Sequence, residues 1–200
     1  MKLHKIISKI FVKKMGQRLT ANECLASGNV YYEKGDYDRA IANFNRALQI
    51  DPNYAPVYSN RGIAYDDKGD HDRAIADYSR ALQIDPNYTG AYINRGVAYA
   101  KKDDYDQAIT DFSRALQIDS INVPAYYNRG KAYGVKGEYN RAIADFNSAL
   151  HIDASNAQIY YARALVYGIM GDDIGARRDL QRATDLGSED AKQVLEELGK

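Results

Sequence analysis

Tryptophan is absent from this 200-residue chain, cysteine occurs once and histidine three times. A lone thiol, Cys24, cannot close an internal disulfide and leaves no cysteine cluster for zinc. His4, His71 and His151 are scattered, and no pair of them has metal-ligand spacing. No apolar run approaches the roughly 20 residues that cross a bilayer. Proline is scarce, with four residues set among abundant Ala, Leu and Ile, so a folded and mainly helical chain is expected. Net charge is also missing, because 27 basic residues balance 27 acidic ones. The balance is uneven along the chain: Lys2, Lys5, Lys9, Lys13, Lys14 and Arg18 all precede the first acid, Glu23. The remainder carries 21 basic and 27 acidic residues. A body of that sign has no reason to seek a phosphate backbone, so nucleic acid is not an expected partner.

What the chain does contain is the same sentence written five times. KGDYDRAIANFNRAL (34–48) returns as KGDHDRAIADYSRAL (68–82), KDDYDQAITDFSRAL (102–116), KGEYNRAIADFNSAL (136–150) and a decayed MGDDIGARRDLQRAT (170–184). A fixed period of this length signals a solenoid, whose units cannot bury their apolar faces alone. Within one period, Tyr58, Arg61, Gly62 and Tyr65 form one helical stripe, and Ala74, Ile75, Tyr78, Ala81 and Leu82 form a second. Between them Gly69-Asp70 supplies a left-handed stop and then an N-cap acceptor. Each period is therefore a helix hairpin. Pro52 and Pro86 mark the ends of second helices, and Ser120 and Ala154 leave the later ends less firmly written.

Small residues recur at Gly28, Gly62, Gly96, Gly130 and Ala164 on first helices, and at Ala40, Ala74, Ala108, Ala142 and Ala176 on second ones. Bulk recurs at Phe44, Tyr78, Phe112, Phe146 and Leu180, three residues before another alanine column. With this spacing, residues 21–190 resemble the tetratricopeptide repeat (TPR) family. The usual tryptophan slot holds Cys24, Tyr58, Tyr92, Tyr126 and Tyr160 instead. The resemblance implies an all-α fold: a right-handed superhelical solenoid of five hairpins (21–54, 55–88, 89–122, 123–156, 157–190) with a C-terminal capping helix and tail over 188–200. Ser188 caps that helix, and Ala191, Val194, Leu195 and Leu198 form its apolar stripe.

The leucine slot of the family pattern is taken by Arg61, Arg95, Arg129 and Arg163, and every copy with this arginine also has Asp77, Asp111, Asp145 or Asp179 sixteen residues on. The first copy has Ser27 and Asn43. Two columns that come and go together are expected to meet, because an arginine between packed helices needs a carboxylate.

No nucleophile, base and orienting group can be nominated for catalysis, and nothing implies a metal or cofactor. His71 reads as a surface-loop residue, since other copies place tyrosine there. The family resemblance implies a concave groove of first helices that receives an extended or helical peptide segment of a partner protein. Carried onto this sequence, the groove includes Asn29, Asn60, Ile63, Asn94, Val97, Lys101, Asn128 and Lys131, and runs from acidic through basic to apolar. The family's clamp for a C-terminal carboxylate is not matched, because Leu25, Gly90 and Asn94 stand in its basic slots. An adaptor or scaffold without catalysis is the favoured reading, in the cytoplasm. Self-association is a further option for an open array.

Residues 1–20 form a basic segment in which Leu3, Ile6, Ile7, Ile10 and Phe11 share one face of a helical projection and Lys2, Lys5, Lys9 and Lys13 the other. Three readings stand beside one another: a helix or tail packed beside the first repeat, a membrane-surface helix formed by residues 1–19, and an export signal whose apolar core is split by Ser8 and Lys9. The last two would make the chain an exported or membrane-peripheral assembly factor.

Overall fold

The computed structural model describes residues 19–198; the basic segment 1–18 and the last two residues lie outside the described residues. Every described element is an α-helix. The first helices of the five hairpins are α1 (Ala21–Glu33), α3 (Ala55–Asp67), α5 (Thr89–Lys101), α7 (Val123–Val135) and α9 (Ala157–Ile169). The second helices are α2 (Tyr37–Ile50), α4 (His71–Ile84), α6 (Tyr105–Ile118), α8 (Tyr139–Ile152) and α10 (Asp173–Asp185), and α11 (Glu189–Leu198) follows. Each helix packs on the one before and the one after, the arrangement of a solenoid.

Local chemistry sets the helix ends. In four hairpins the inner turn passes through a left-handed glycine, as at Gly69 with φ 82°; in the third, Asp103 adopts φ 60°. Aspartate is among the few side-chain-bearing residues that enter this region at moderate cost. Asp36, Asp70, Asp104 and Asp172 then cap the second helices by accepting an amide hydrogen bond three residues on. At the outer ends a different device operates. Asp51, Asp85, Asp119 and Asp153 all leave the helix in extended geometry, whether or not proline follows. In each case the aspartate carboxylate accepts the amide two residues on, at 3.0 to 3.3 Å. This side-chain turn ends the helix by itself, which is why Ser120 and Ala154 do not weaken the stop.

Close approach within a hairpin depends on the glycine column. A Cβ placed on Gly96 would lie 2.7 Å from Cε1 of Phe112, and one on Gly130 would lie 2.8 Å from Cε1 of Phe146. The ring edge therefore occupies the space that a side chain would need. Phe44, Tyr78, Phe112, Phe146 and Leu180 are all buried, as are the alanines around them.

Arg95 shows how hairpins are tied. Its Nε and Nη2 donate to both carboxylate oxygens of Asp111 at 2.7 and 2.8 Å, linking α5 to α6. Its Nη1 donates to Ser79 Oγ at 2.9 Å, reaching α4 of the preceding hairpin. The guanidinium also stands 5.7 Å from the centre of the Tyr92 ring. Arg61, Arg129 and Arg163 repeat the arrangement with Asp77, Asp145 and Asp179, and with Asn45, Ser113 and Asn147. The aspartates are buried, with Asp111 4% exposed. Hydrogen bonding to Asp111 holds the Arg95 guanidinium protonated beyond arginine's ordinary range, against the opposing effect of burial. A second, exposed set of links joins Lys68 to Asp38, Lys102 to Asp72 and Lys136 to Asp106.

The two ends differ from the middle. Val57, Ala91, Ala125 and Ile159 occupy one fully buried column, and at the same place in the first hairpin stands Glu23. Glu23 closes a capping box with Thr20 and remains exposed. At the other end Ser188 Oγ accepts the Ala191 amide, and α11 lays Ala191, Val194 and Leu195 against Ala164, Leu180 and Ala183.

Five outcomes are expected. Gly96→Ala should lower stability by about 1–3 kcal/mol through overpacking against Phe112. Gly168→Ala, where nothing lies within 4 Å of the new Cβ, should raise it by up to about 1 kcal/mol through helix propensity; paired denaturant titrations decide. Asp111→Ala should cost about 3 kcal/mol because it strands a half-buried guanidinium, and a double-mutant cycle with Arg95→Ala should show strong coupling. The same cycle on Lys102 and Asp72 should show none that is measurable. Truncation after Gly187 should uncover Leu180 and Ala183 and produce concentration-dependent association in sedimentation.

Candidate protein-interaction surface

Successive first helices touch one another, α1 with α3, α3 with α5, α5 with α7 and α7 with α9, whereas second helices make at most a glancing contact with each other. An array in which one layer closes up and the other spreads is curved with the closed layer inside. The first-helix face is therefore the inner face, and three hollows follow one another along it. Asn29, Tyr32, Glu33, Asn60 and Ile63 line the first, of about 230 Å³. Val97, Lys101, Asn128, Lys131 and Val135 line the second, of about 320 Å³. Leu165, Ile169, Leu180, Val194 and Leu198 line the third, of about 460 Å³. Hollows of this size fall in or near the range of small binding pockets.

Of the groove residues expected from the sequence, all but Asn94 line one of these hollows. Their states differ. Asn60 donates its amide to Asn29 Oδ1 at 2.9 Å, so these two are already engaged with each other. Lys101 Nζ lies 2.6 Å from Asp66 Oδ2 and is spent on that pair. Asn94 and Asn128 are half-buried and make no hydrogen bond to another side chain or to the main chain among the described residues. Lys131 is exposed, with its ammonium 5.4 Å from the centre of the Tyr127 ring. The eight arginines and aspartates expected to pair do meet, inside the hairpins and away from the hollows.

Two features differ from what the sequence suggests. His71 is not a loop residue: it opens α4, with Nδ1 2.7 Å from Asp66 Oδ1. Asp66 thereby joins His71 and Lys101 from two different hairpins. Beside it the Tyr32 hydroxyl donates to Asp67 Oδ2 at 2.5 Å. Burial, and next this hydrogen bond, push the Tyr32 phenol up to about 12. The links of Lys101 and Tyr32 join neighbouring hairpins, and no pattern within one copy announces them. Reading across copies at a separation of 35, one more than the period, is the signal that could have found them, since it sets Tyr32 against Asp67 and Asp66 against Lys101.

Among the described residues no group of three His, Cys, Asp or Glu side chains could hold a metal ion, and no helix is long and apolar enough to cross a membrane.

Comparison with known proteins agrees with this geometry. Profiles of the TPR repeat match residues 28–69 and 135–171, and profiles of the tetratricopeptide repeat match 55–88 and 90–122, together well over half of the chain. Stress-induced-phosphoprotein 1 of Caenorhabditis elegans is 39% identical over 62 residues, covering 25% of this chain. The chain spans about a fifth (19%) of the length of that curated relative. A crystal structure of MamA protein superposes with a TM-score of 0.76 at 26% identity, covering 86% of this chain and 94% of that one. YrrB, a TPR protein with an unusual peptide-binding site, shares the fold with a TM-score of 0.74 at 18% identity, covering 95% of this chain and 97% of its own. The buried ring-and-glycine columns, the hairpin order and these matches agree: the chain belongs to the tetratricopeptide repeat family.

Proposed function

We propose that this protein is a non-catalytic scaffold that holds an extended segment of a partner protein along its inner face. The observation that carries this reading is the row of three hollows on one face, with the free amide of Asn128 in the wall of the middle one and that of Asn94 in the equivalent position one repeat earlier. A side-chain amide offers both a donor and an acceptor, so it pairs with a peptide main chain whatever its sequence. Surrounding side chains then choose among partners. Repeat arrays of this family work through such long curved surfaces, and YrrB, which shares the fold, carries a peptide-binding site.

The test is titration of peptides selected from a random library on the immobilised full chain. Asn94→Ala with Asn128→Ala should weaken binding about tenfold, the loss of two hydrogen bonds. Helix content and melting should stay nearly unchanged, because both residues lie outside the ring, glycine and alanine columns. Equal affinity for wild type and the double variant would move the binding surface elsewhere.

A further inference from the structure

The five copies act as internal controls for one another. At one inner-face position the chain reads Asn29, Ile63, Val97, Lys131 and Leu165; one turn on it reads Glu33, Asp67, Lys101, Val135 and Ile169. Charge in the first half is largely satisfied internally, through Lys101 with Asp66 and Tyr32 with Asp67. The second half is different. Lys131 has no carboxylate partner among the described residues and rests over Tyr127, whose ring packs 6.2 Å from Phe146. The repeat that carries it, 123–156, is the only one of the five with more basic than acidic residues.

Next to Lys131 the surface turns apolar. Leu165 is 46% exposed, Ile169 65% and Leu198 49%, around the hollow of about 460 Å³. On its far rim Arg177 reaches the Leu198 carbonyl at 3.4 Å and has no carboxylate partner among the described residues, although Asp173 stands on the same rim. Arg177 on this rim and Lys131 in the neighbouring hollow are thus two cations without a carboxylate partner among the described residues.

Spacing limits what fits. Packed helices lie roughly 8–10 Å apart, so Lys131 on α7 and Leu165 on α9 are about one such step apart along the face. A peptide in polyproline II geometry rises about 3.1 Å per residue and returns a side chain to the same side every third residue, roughly 9 Å on. Resting on the groove reading above, we propose that this half of the face selects an acidic peptide: an Asp or Glu lies against Lys131, and three residues away a large apolar side chain sits among Leu165, Ile169 and Leu198. The carboxylate supplies the charge that Lys131 lacks, and the apolar residue covers surface that the fifth hairpin leaves to water.

The experiment uses the full chain and the peptides selected from the random library, titrated at low and high salt. Enrichment of an acid three residues from Leu, Ile, Met or Phe, in either order, is expected. Lys131→Ala should cost such peptides about fivefold in affinity, as befits a solvent-exposed ion pair, and should remove both the salt dependence and the advantage of Glu over Gln. Ile169→Asn, a substitution at an exposed site, should remove the preference for the apolar residue while leaving melting unchanged. Peptides that bind wild type and Lys131→Ala alike, or that are enriched in lysine, overturn the proposal. If such peptides still lose affinity in the Asn94, Asn128 double variant, the groove reading survives and only its selectivity falls. Absence of binding by any selected peptide overturns both.

Discussion

One guanidinium tied to three helices governs the geometry of this molecule. Arg95 grips Asp111 within its own hairpin, reaches Ser79 in the hairpin before it and stands beside the Tyr92 ring. Apolar burial drives the hairpins together but is indifferent to small slides between them. A planar fork that meets a carboxylate through two parallel bonds is not. Because three other arginines repeat the arrangement, each hairpin is indexed on its predecessor in the same way. The inner face inherits its even steps from that indexing.

Consistency between levels makes most of the fold legible in the sequence alone. The glycine column is readable as a close contact because an aromatic residue follows each of those glycines at sixteen positions' distance, and the rings do fill that space. Arginine and aspartate are readable as partners because the first copy lacks both. Other features depend on contacts that cross from one copy to another. Lys68 to Asp38 and Lys101 to Asp66 join hairpins, and their meeting depends on the packing angle as much as on sequence. Likewise Asn60 has the spacing of a free groove amide, yet it turns to Asn29 once α1 and α3 are brought together. Proline is the conspicuous signal at the ends of second helices, whereas the aspartate before that position carries the turn in all four cases.

The inner face is therefore two surfaces of different chemistry. In its first half, charged groups are used to join hairpins, and the pairs made by Asp66 and Asp67 leave limited capacity for a visitor. In its second half, hairpins are joined by the half-buried arginines and by Lys136 with Asp106 away from the hollows, and Asn128, Lys131 and the apolar floor beyond are left over. One column of side chains thus passes from groups engaged in joining hairpins to groups without a partner among the described residues. A site whose support is buried behind it can vary its exposed residues without unsettling the array.

The terminal positions have a consequence for how such a chain changes in length. Glu23 stands where the other copies bury Val57, Ala91, Ala125 and Ile159, so a hairpin stacked in front would have to cover a charge. Leu198 stands in register with the glycine column, at the place where a following ring would have to seat. Both positions therefore depart from the rule that built the middle. Duplication of a 34-residue block within the interior meets neither obstacle, since the new copy brings its own arginine, aspartate and glycine and leaves both ends as they were. Gene rearrangement can lengthen this array from within, one interior repeat at a time.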